Sequence, residues 1–268
     1  MKKYLLILLL SLSACCVQEK KNIPAEAPIS MHPLTMATLY NHYAEEYRAL
    51  AYQAFNIATM RVDEMLALGK NAGKCAIVVD IDETLLDNSP ADAILIEKDT
   101  SYPYMWFEWT ELATARAVPG ALEFLKYADE KGFSIFYVSN RKEDPEQVWT
   151  MKNLEALGFP QIEDSQFMLK RDRSEENPNP SDKQGRRNNI VEDGYEIVML
   201  IGDNLGDFYT DEMGFHTRTA QVDAFREEFG NRFIVLPNPM YGNWKKSLGI
   251  NNADVMDSLI RDMTKVFN

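Results

Sequence analysis

Two carboxylates, those of Asp80 and Asp82, stand two residues apart directly after the apolar run 77–79. The run is typical of a buried parallel strand. Side chains at alternate positions of a strand point to the same side, so both carboxylates are expected to leave the sheet together. Open α/β sheets bind their ligands at this carboxyl end. The segment therefore predicts a catalytic site.

Three simpler interpretations compete for the segment 80–84. An EF-hand loop would need glycine at its sixth position, where this chain has Leu85, and no apolar strand would precede it. A solvated turn often contains aspartate, but it would not be followed by the apolar pair Leu85 and Leu86. A two-carboxylate metal site of an unrelated enzyme stays open on this segment alone.

A second pair of carboxylates, Asp203 and Asp207, follows another apolar run at 197–201. Gly202 allows a tight backbone turn between that predicted strand and the acids. Mg²⁺ prefers a few carboxylate oxygens and keeps several of its waters. Two acidic strand ends at one edge of a sheet therefore form a candidate site for a hard cation.

Polar residues between the acidic segments are candidate phosphate ligands. The predicted strand 133–138 ends in Ser139 and Asn140, whose hydroxyl, amide and backbone N–H groups can donate to phosphoryl oxygens. Taken alone, this sequence is more typical of a helix-capping turn. Lys183 begins a basic cluster at 183–187 and could neutralise phosphate, although such clusters are usually solvated surface.

The order of these four elements resembles the four motifs of the haloacid dehalogenase superfamily of phosphotransferases. Within it, VVDIDETLLDN at 78–88 and IVMLIGDNLGDF at 197–208 resemble the two signatures of the class C acid phosphatases. Those enzymes are bacterial lipoproteins that hydrolyse phosphomonoesters. The likeness covers residues from about 32 to 250.

The resemblance and the strand–helix alternation imply an α/β fold, a Rossmann-like haloacid dehalogenase core with a parallel sheet. Helices at 32–74 are expected to pack on a phosphatase core at 75–268. A small cap insertion at about 88–118 interrupts strand and crossover helix and is rich in aromatic residues. Such a lid excludes water from a catalytic site.

The resemblance also implies roles for the acidic residues. Asp80 corresponds to the nucleophile, which attacks phosphorus and becomes an aspartyl phosphate. Asp82 corresponds to the general acid for the leaving group and then to the base for water. Mg²⁺ would be held by Asp80, the backbone carbonyl of Asp82, Asp203 and Asp207.

The same resemblance implies ligands for the substrate. Ser139, Asn140 and Lys183 would bind the phosphate, with Arg187 closing that cluster. Tyr241 lies in a late segment, 238–244, that resembles a class C motif whose tyrosine stacks on substrate rings.

The second stacking residue is expected from the cap, where Trp106 is the best match. Such a pair implies small phosphomonoesters as substrates, namely 5′-nucleotides and aromatic esters. The chain departs from the first signature at Ala91, where the family usually has an aromatic residue, so the pocket is expected to be wider or differently walled.

Two other functions stay open on the motifs. A phosphotransferase would pass the group to a second alcohol, which the motifs permit. A non-catalytic surface lipoprotein that keeps the fold to bind a ligand would be expected to lose Asp80 or Asp82, and both are present.

Residues 1–14 have the features of a lipoprotein signal peptide. Lys2 and Lys3 precede an apolar stretch at 5–10 that is too short to span a bilayer, and 12–15 resembles a lipobox. Cys15 would be lipidated, and 15–31 would be a flexible tether. The expected location is the bacterial cell envelope, lipid-anchored at the outer membrane.

Composition limits the possible partners. Without Lys2 and Lys3, the 28 basic residues become 26 against 41 acidic ones, a formal net charge of −15. A chain so acidic is a poor candidate for binding a nucleic acid polymer. Only Cys75 of the three cysteines lies in the folded part, so no disulfide is expected there. The oligomeric state stays open, a homodimer included.

Overall fold

A computed structural model describes residues 32–250 and 253–267. The predicted signal peptide, tether and lipidation site Cys15 lie outside the described residues. The central sheet is built from parallel strands: β1 (Cys75–Val79), β4 (Ser134–Lys142), β5 (Phe167–Lys170), β6 (Glu196–Gly202) and β7 (Phe233–Val235), with β2 (Leu86–Asp87) and β3 (Arg116–Ala117) forming a separate antiparallel pair. The order in the sheet is β5-β4-β1-β6-β7. The predicted α/β class with a parallel sheet is confirmed.

Helices cover the sheet and form the cap. They are α1 (Thr35–Tyr43), α2 (Glu45–Ala67), α3 (Ser89–Glu97), α4 (Trp106–Leu112), α5 (Ala121–Glu130), α6 (Glu146–Leu157), α7 (Gln184–Glu192), α8 (Phe215–Ala224), α9 (Asn243–Ser247) and α10 (Ala253–Thr264). Among the described residues, no helix has both the length and the apolar character that crossing a bilayer requires.

Strand β1 is apolar throughout because both faces of the sheet are covered. Ile77 and Val79 belong to the larger core, which also includes residues of α2 and α5. Ala76 and Val78 belong to a second core on the opposite face, with Ile190 of α7. Burial on both faces fixes the position of β1, and its carboxyl end carries Asp80.

The packing of α2 against α5 depends on Gly120, which precedes α5. Its φ of +86° lies in the left-handed region, and a Cβ there would meet the rings of Phe55 and Tyr52 at 3.2 Å. Glycine satisfies both constraints at once. The start of α5 can therefore approach α2 closely.

The cap is joined to the core by β2 and β3. Asp87 of β2 lies opposite Arg116 of β3, and the guanidinium Nε donates to the carboxylate at 2.6 Å. Helix α1 packs against cap helix α3, where His42 Nδ1 lies 2.6 Å from the Ser89 hydroxyl. The first of the two N-terminal helices thus contacts the cap, while α2 packs on the core.

The prediction that a strand ends at Val138 and a turn follows is wrong. Strand β4 continues through Ser139, Asn140 and Arg141 to Lys142. Lys142 pairs with Lys170 of β5 after an irregularity in the register, so the extended backbone is supported beyond the end of β1.

Candidate active site

Three carboxylates meet beyond the carboxyl ends of β1 and β6. Oxygen atoms of Asp80, Asp203 and Asp207, one from each residue, lie within 4.8 Å of one another. Lys183, at the start of α7, donates hydrogen bonds to Asp80 Oδ1 and, at 2.6 Å, to Asp207 Oδ1. A group of hard oxygen donors beside a single ammonium is chemically suited to Mg²⁺. The structure thus brings together four residues predicted from widely separated motifs.

The acidic turn, residues 202–207, is built around one close approach. A Cβ on Gly202 would lie 2.2 Å from Asp207 Oδ2, so the turn requires glycine there. The backbone N–H of Asn204 donates to the same Oδ2 at 2.9 Å. Arg187 donates from Nη1 to the carbonyls of Gly206 and Asp207, both at 3.0 Å. The guanidinium of Arg187 therefore holds the backbone of the acidic turn.

The side chain of Asp82 belongs to a different cluster. Its Oδ1 accepts from Arg141 Nη2 at 2.7 Å and Nε at 2.9 Å, and from Asn88 Nδ2 at 2.8 Å. Its Oδ2 accepts from the Ser139 hydroxyl at 3.4 Å. This carboxylate lies outside the group of three, and the resemblance assigns only the backbone carbonyl of Asp82 to the metal.

Ser139 and Asn140 diverge because neighbouring residues of a strand face opposite sides. Ser139 is buried beside Asp82, whereas the exposed Asn140 donates from Nδ2 to the Ser181 carbonyl at 3.1 Å. Asn140 Oδ1 accepts from Arg186 at 2.7 Å. Phosphate binding through the amide side chain of Asn140 stays a prediction.

Sequence reasoning missed the structural importance of two arginines. Arg141 is buried and donates hydrogen bonds to Asp82. Its position two residues after Ser139 could have indicated that both side chains lie on the same face of the strand. Arg186 donates from Nη1 to the carbonyls of Ser139 at 2.5 Å and Met168 at 3.2 Å. It joins β4 to β5, and no local pattern distinguishes it from its neighbours in the basic cluster.

Negative charge is in excess at the three-carboxylate group. Burial raises the pKa of Asp80 to about 7 against the opposing charge of Lys183. Burial also raises the pKa of Asp203 well above its ordinary range, and Asp207 and Asp80 add to that shift. Burial works against the charge on Lys183, but Asp207 and Asp80 raise its pKa. A divalent cation would compensate these charges, so the residues present fit such an ion.

The cap reaches the site through indole rings. Trp106 Nε1 donates to Glu146 Oε1 at 2.8 Å, and the guanidinium carbon of Arg141 lies 5.7 Å from the centre of the Trp106 ring. Trp109 Nε1 donates to Asn88 Oδ1 at 2.8 Å, and Asn88 in turn donates to Asp82. The predicted substrate residue Trp106 is thus in contact with Arg141, which donates hydrogen bonds to Asp82.

Tyr241 is positioned at the site by a hydrogen bond to Glu83. Its hydroxyl donates to Oε2 of Glu83, which is fully buried, and its ring is partly exposed. Burial raises the pKa of the Glu83 carboxyl well above its ordinary value, with Asp82 adding to the shift. Sequence reasoning did not single out Glu83, although it directly follows Asp82.

The fold and the arrangement of acids are those of the haloacid dehalogenase type. Residues 7–244 match the family described as HAD superfamily, subfamily IIIB (Acid phosphatase). The chain belongs to this family. The resemblance to class C acid phosphatases drawn from the two motifs is confirmed.

Solved structures and curated relatives agree with this assignment. The class C acid phosphatase from Bacillus anthracis is 38% identical with a TM-score of 0.75, over 85% of this chain and 94% of that chain. Acid phosphatase 1 of Solanum lycopersicum is 29% identical over 63% of this chain and 59% of its own length. The Stem 28 kDa glycoprotein of Glycine max is 32% identical over 63% of this chain and 60% of its own length. The match thus spans less than two thirds of these plant proteins.

Proposed function

We propose that the protein is a Mg²⁺-dependent phosphomonoester hydrolase that acts through an aspartyl phosphate on Asp80. The observation that carries the proposal is the position of Asp80 at the end of β1. It lies in one group with Asp203 and Asp207 and accepts a hydrogen bond from Lys183. A relative from Bacillus anthracis has been solved with tungstate bound. Tungstate is a tetrahedral oxyanion like phosphate, which supports an oxyanion site in this fold.

In the first step, an oxygen of Asp80 forms a bond to phosphorus while the bond from phosphorus to the leaving oxygen breaks. Lys183 orients Asp80 and pairs with the phosphate. Asp82 gives a proton to the leaving oxygen, and its Oδ2 is the suitable atom because Arg141 and Asn88 both donate to Oδ1.

In the second step, water attacks phosphorus, Asp82 takes a proton from that water, and the bond to Asp80 breaks to release phosphate. Ser139 lies beside Asp82 and is positioned to donate to a phosphoryl oxygen. Asp80, Asp203 and Asp207 would hold a cation, whose charge would reduce the repulsion between the nucleophile and the phosphate.

The substrates we propose are 5′-nucleotides and aromatic phosphomonoesters. Tyr241 and Trp106 both present rings near the carboxylate clusters, the former tied to Glu83 and the latter packed over Arg141. A flat ring held by stacking alone is accepted with little regard to its polar groups. The site would therefore select for an aromatic group rather than for one base.

A substrate panel tests the proposal. Release of phosphate from p-nitrophenyl phosphate, AMP and glycerol phosphate is measured with Mg²⁺ and with a chelator. We expect turnover with Mg²⁺, loss with chelator, and a preference for the two aromatic substrates. Acid quenching with radiolabelled substrate should leave label on the wild-type protein and none on Asp80→Asn. Turnover that persists in chelator, or the absence of labelled protein during turnover, would contradict the mechanism.

We also propose that Cys15 carries a lipid that holds the mature protein in the cell envelope. The support is the lipobox-like sequence 12–15 and the polar segment that follows it. Cys15→Ala should move the protein from the membrane fraction to the soluble fraction. Cys16→Ala is the matched control, because it removes the adjacent thiol and should leave fractionation unchanged.

A further inference from the structure

Asn238 begins the segment 238–242, which carries Tyr241, and contacts Asp203 of the acidic turn. We propose that Asn238 is a positioning residue that couples cation binding at Asp203 to the grip of Tyr241 on the substrate ring. The inference rests on the proposed function and adds a residue that takes no direct part in either chemical step.

A single amide group makes both connections. Asn238 Nδ2 donates to Asp203 Oδ2 at 2.7 Å. Its Oδ1 accepts from the backbone N–H of Met240 at 2.9 Å and of Tyr241 at 3.3 Å. Donor and acceptor belong to one rigid plane, so the orientation of the Asp203 carboxylate is tied to the backbone at Tyr241.

A second contact keeps the two segments together. Gly242 has a φ of +130°, and a Cβ there would lie 2.9 Å from Asn204 Nδ2, inside the acidic turn. The backbone of segment 238–242 therefore closely approaches the side chain of Asn204, which belongs to the turn 202–207. Trp244 Nε1 donates to the Tyr241 carbonyl at 3.0 Å and supports the segment from its C-terminal side.

Two consequences follow for binding. Groups that hydrogen-bond a ligating carboxylate set its orientation, and their loss typically weakens metal binding by about 10- to 100-fold. A cation that orders Asp203 also orders the Tyr241 backbone through Asn238. Coupling of this kind is reciprocal, so a ring bound at Tyr241 should increase the affinity for the cation.

The experiment compares Asn238→Ala with Asn243→Ala. Asn243 is a matched control because its Nδ2 also donates to a carboxylate, that of Asp211, at 2.8 Å, and not to Asp203. Calorimetric titration of the substrate-free protein with Mn²⁺ gives the cation affinity without any turnover. The ratio of kcat/KM for AMP to that for glycerol phosphate gives the ring preference. Circular dichroism checks the fold of both variants.

We expect Asn238→Ala to weaken Mn²⁺ binding by about 10-fold or more and to reduce the ring preference. Asn243→Ala should leave both quantities within about twofold of wild type. Wild-type Mn²⁺ affinity in Asn238→Ala overturns the inference, even if its activity falls. A wild-type protein that binds no Mn²⁺ overturns the cation part of the proposed function and the coupling with it.

A measurement on the wild-type protein does not depend on whether the variants fold. The affinity for adenosine, which has a ring but no phosphate, is measured without Mn²⁺ and at saturating Mn²⁺. Coupling predicts adenosine binding tighter by about fivefold or more when the cation is present. Unchanged adenosine affinity overturns the inference while leaving the hydrolytic proposal intact.

Discussion

The carboxyl end of the sheet and the cap hold their functional residues by different means. At the sheet end, hydrogen bonds between strands continue up to the proposed nucleophile, since Asp80 N donates to the Ile201 carbonyl at 2.9 Å. In the cap, helix α4 is flanked by Met105 and Ala113 in left-handed conformations, and Trp106 is oriented by a side-chain hydrogen bond to Glu146. Backbone pairing thus positions the proposed nucleophile, whereas a side-chain hydrogen bond positions the proposed stacking residue.

Substitutions at the sheet end and in the cap should therefore have different effects. Groups on rigid strands are positioned more precisely than groups on loops and short helices. Substitutions at the sheet end should therefore reduce turnover for every substrate. Substitutions in the cap and around Tyr241 should change the ranking of substrates.

The largest expected effect is at the nucleophile. Asp80→Asn should reduce phosphate release by about 10⁴-fold or more for every substrate, because an amide cannot form the aspartyl phosphate. The variant should remain folded, since Lys183 keeps its ion pair with Asp207 and the buried group loses one of its excess negative charges. Asp193→Asn, at the far end of α7, should keep wild-type rates. A near-normal kcat in Asp80→Asn would contradict the proposed covalent mechanism.

The next effect tests the close approach inside the acidic turn. Gly202→Ala places a Cβ 2.2 Å from Asp207 Oδ2, so the turn must shift. We expect about 1–3 kcal/mol of destabilisation by urea unfolding and a loss of about 10²-fold in kcat.

Gly206→Ala is the matched control, because the nearest atom to its Cβ would be 3.9 Å away. It should be nearly silent in both measurements. Equal effects of the two substitutions would mean that the close approach at Gly202 is not what positions Asp207.

A smaller and selective effect is expected at the ring. Tyr241→Ala should cost about 1–3 kcal/mol, or about 5- to 150-fold in kcat/KM, for AMP and aryl phosphates. Glycerol phosphate should be spared. Tyr241→Phe keeps the ring and loses only the bond to Glu83, so it should retain the preference. An equal loss for aromatic and aliphatic substrates in Tyr241→Ala would make Tyr241 a structural residue.

The smallest effect on activity concerns a buried acid of the cap. Burial raises the pKa of Asp92 in α3 to about 7 from its ordinary value near 4, and Asp87 adds to the shift. Between these values the folded state binds more protons than the unfolded state. The free energy of unfolding therefore falls as pH rises from about 4 to 7, and the loss is complete above that range.

Asp92→Asn should flatten this pH dependence. We expect stabilisation at pH about 8 on the order of 2 kcal/mol, with little change near pH 4 and no change in turnover of p-nitrophenyl phosphate. Urea unfolding in the presence of chelator at both pH values measures the free energy of unfolding. Glu108→Gln is the control, because it removes an exposed carboxylate of the cap. An unchanged pH dependence in Asp92→Asn would show that Asp92 does not couple to stability.

Local patterns were sufficient for β1 and β6 and for the acids that follow them. The apolar runs before Asp80 and Gly202 predicted β1 and β6 because burial on both faces leaves a signature within a few residues. The same reasoning placed the end of β4 at Val138, whereas the strand continues to Lys142. A polar strand end looks like a turn, and the pairing with β5 that extends it is not visible locally.

The sequence alone was therefore enough to predict the class of fold and to bring Asp80, Asp203 and Asp207 to one sheet edge, because all three follow predicted parallel strands. Lys183 was added to this group by the resemblance to the haloacid dehalogenase motifs. The distribution of the polar hydrogen-bond partners, in contrast, is visible only in the folded structure.

Three such contacts are the hydrogen bonds of Arg141 to Asp82, of Arg187 to the acidic turn and of Asn238 to Asp203. These partners are brought together by packing between distant elements. Which residues become partners depends on distances and burial in the folded protein, and these cannot be read from spacing along the chain.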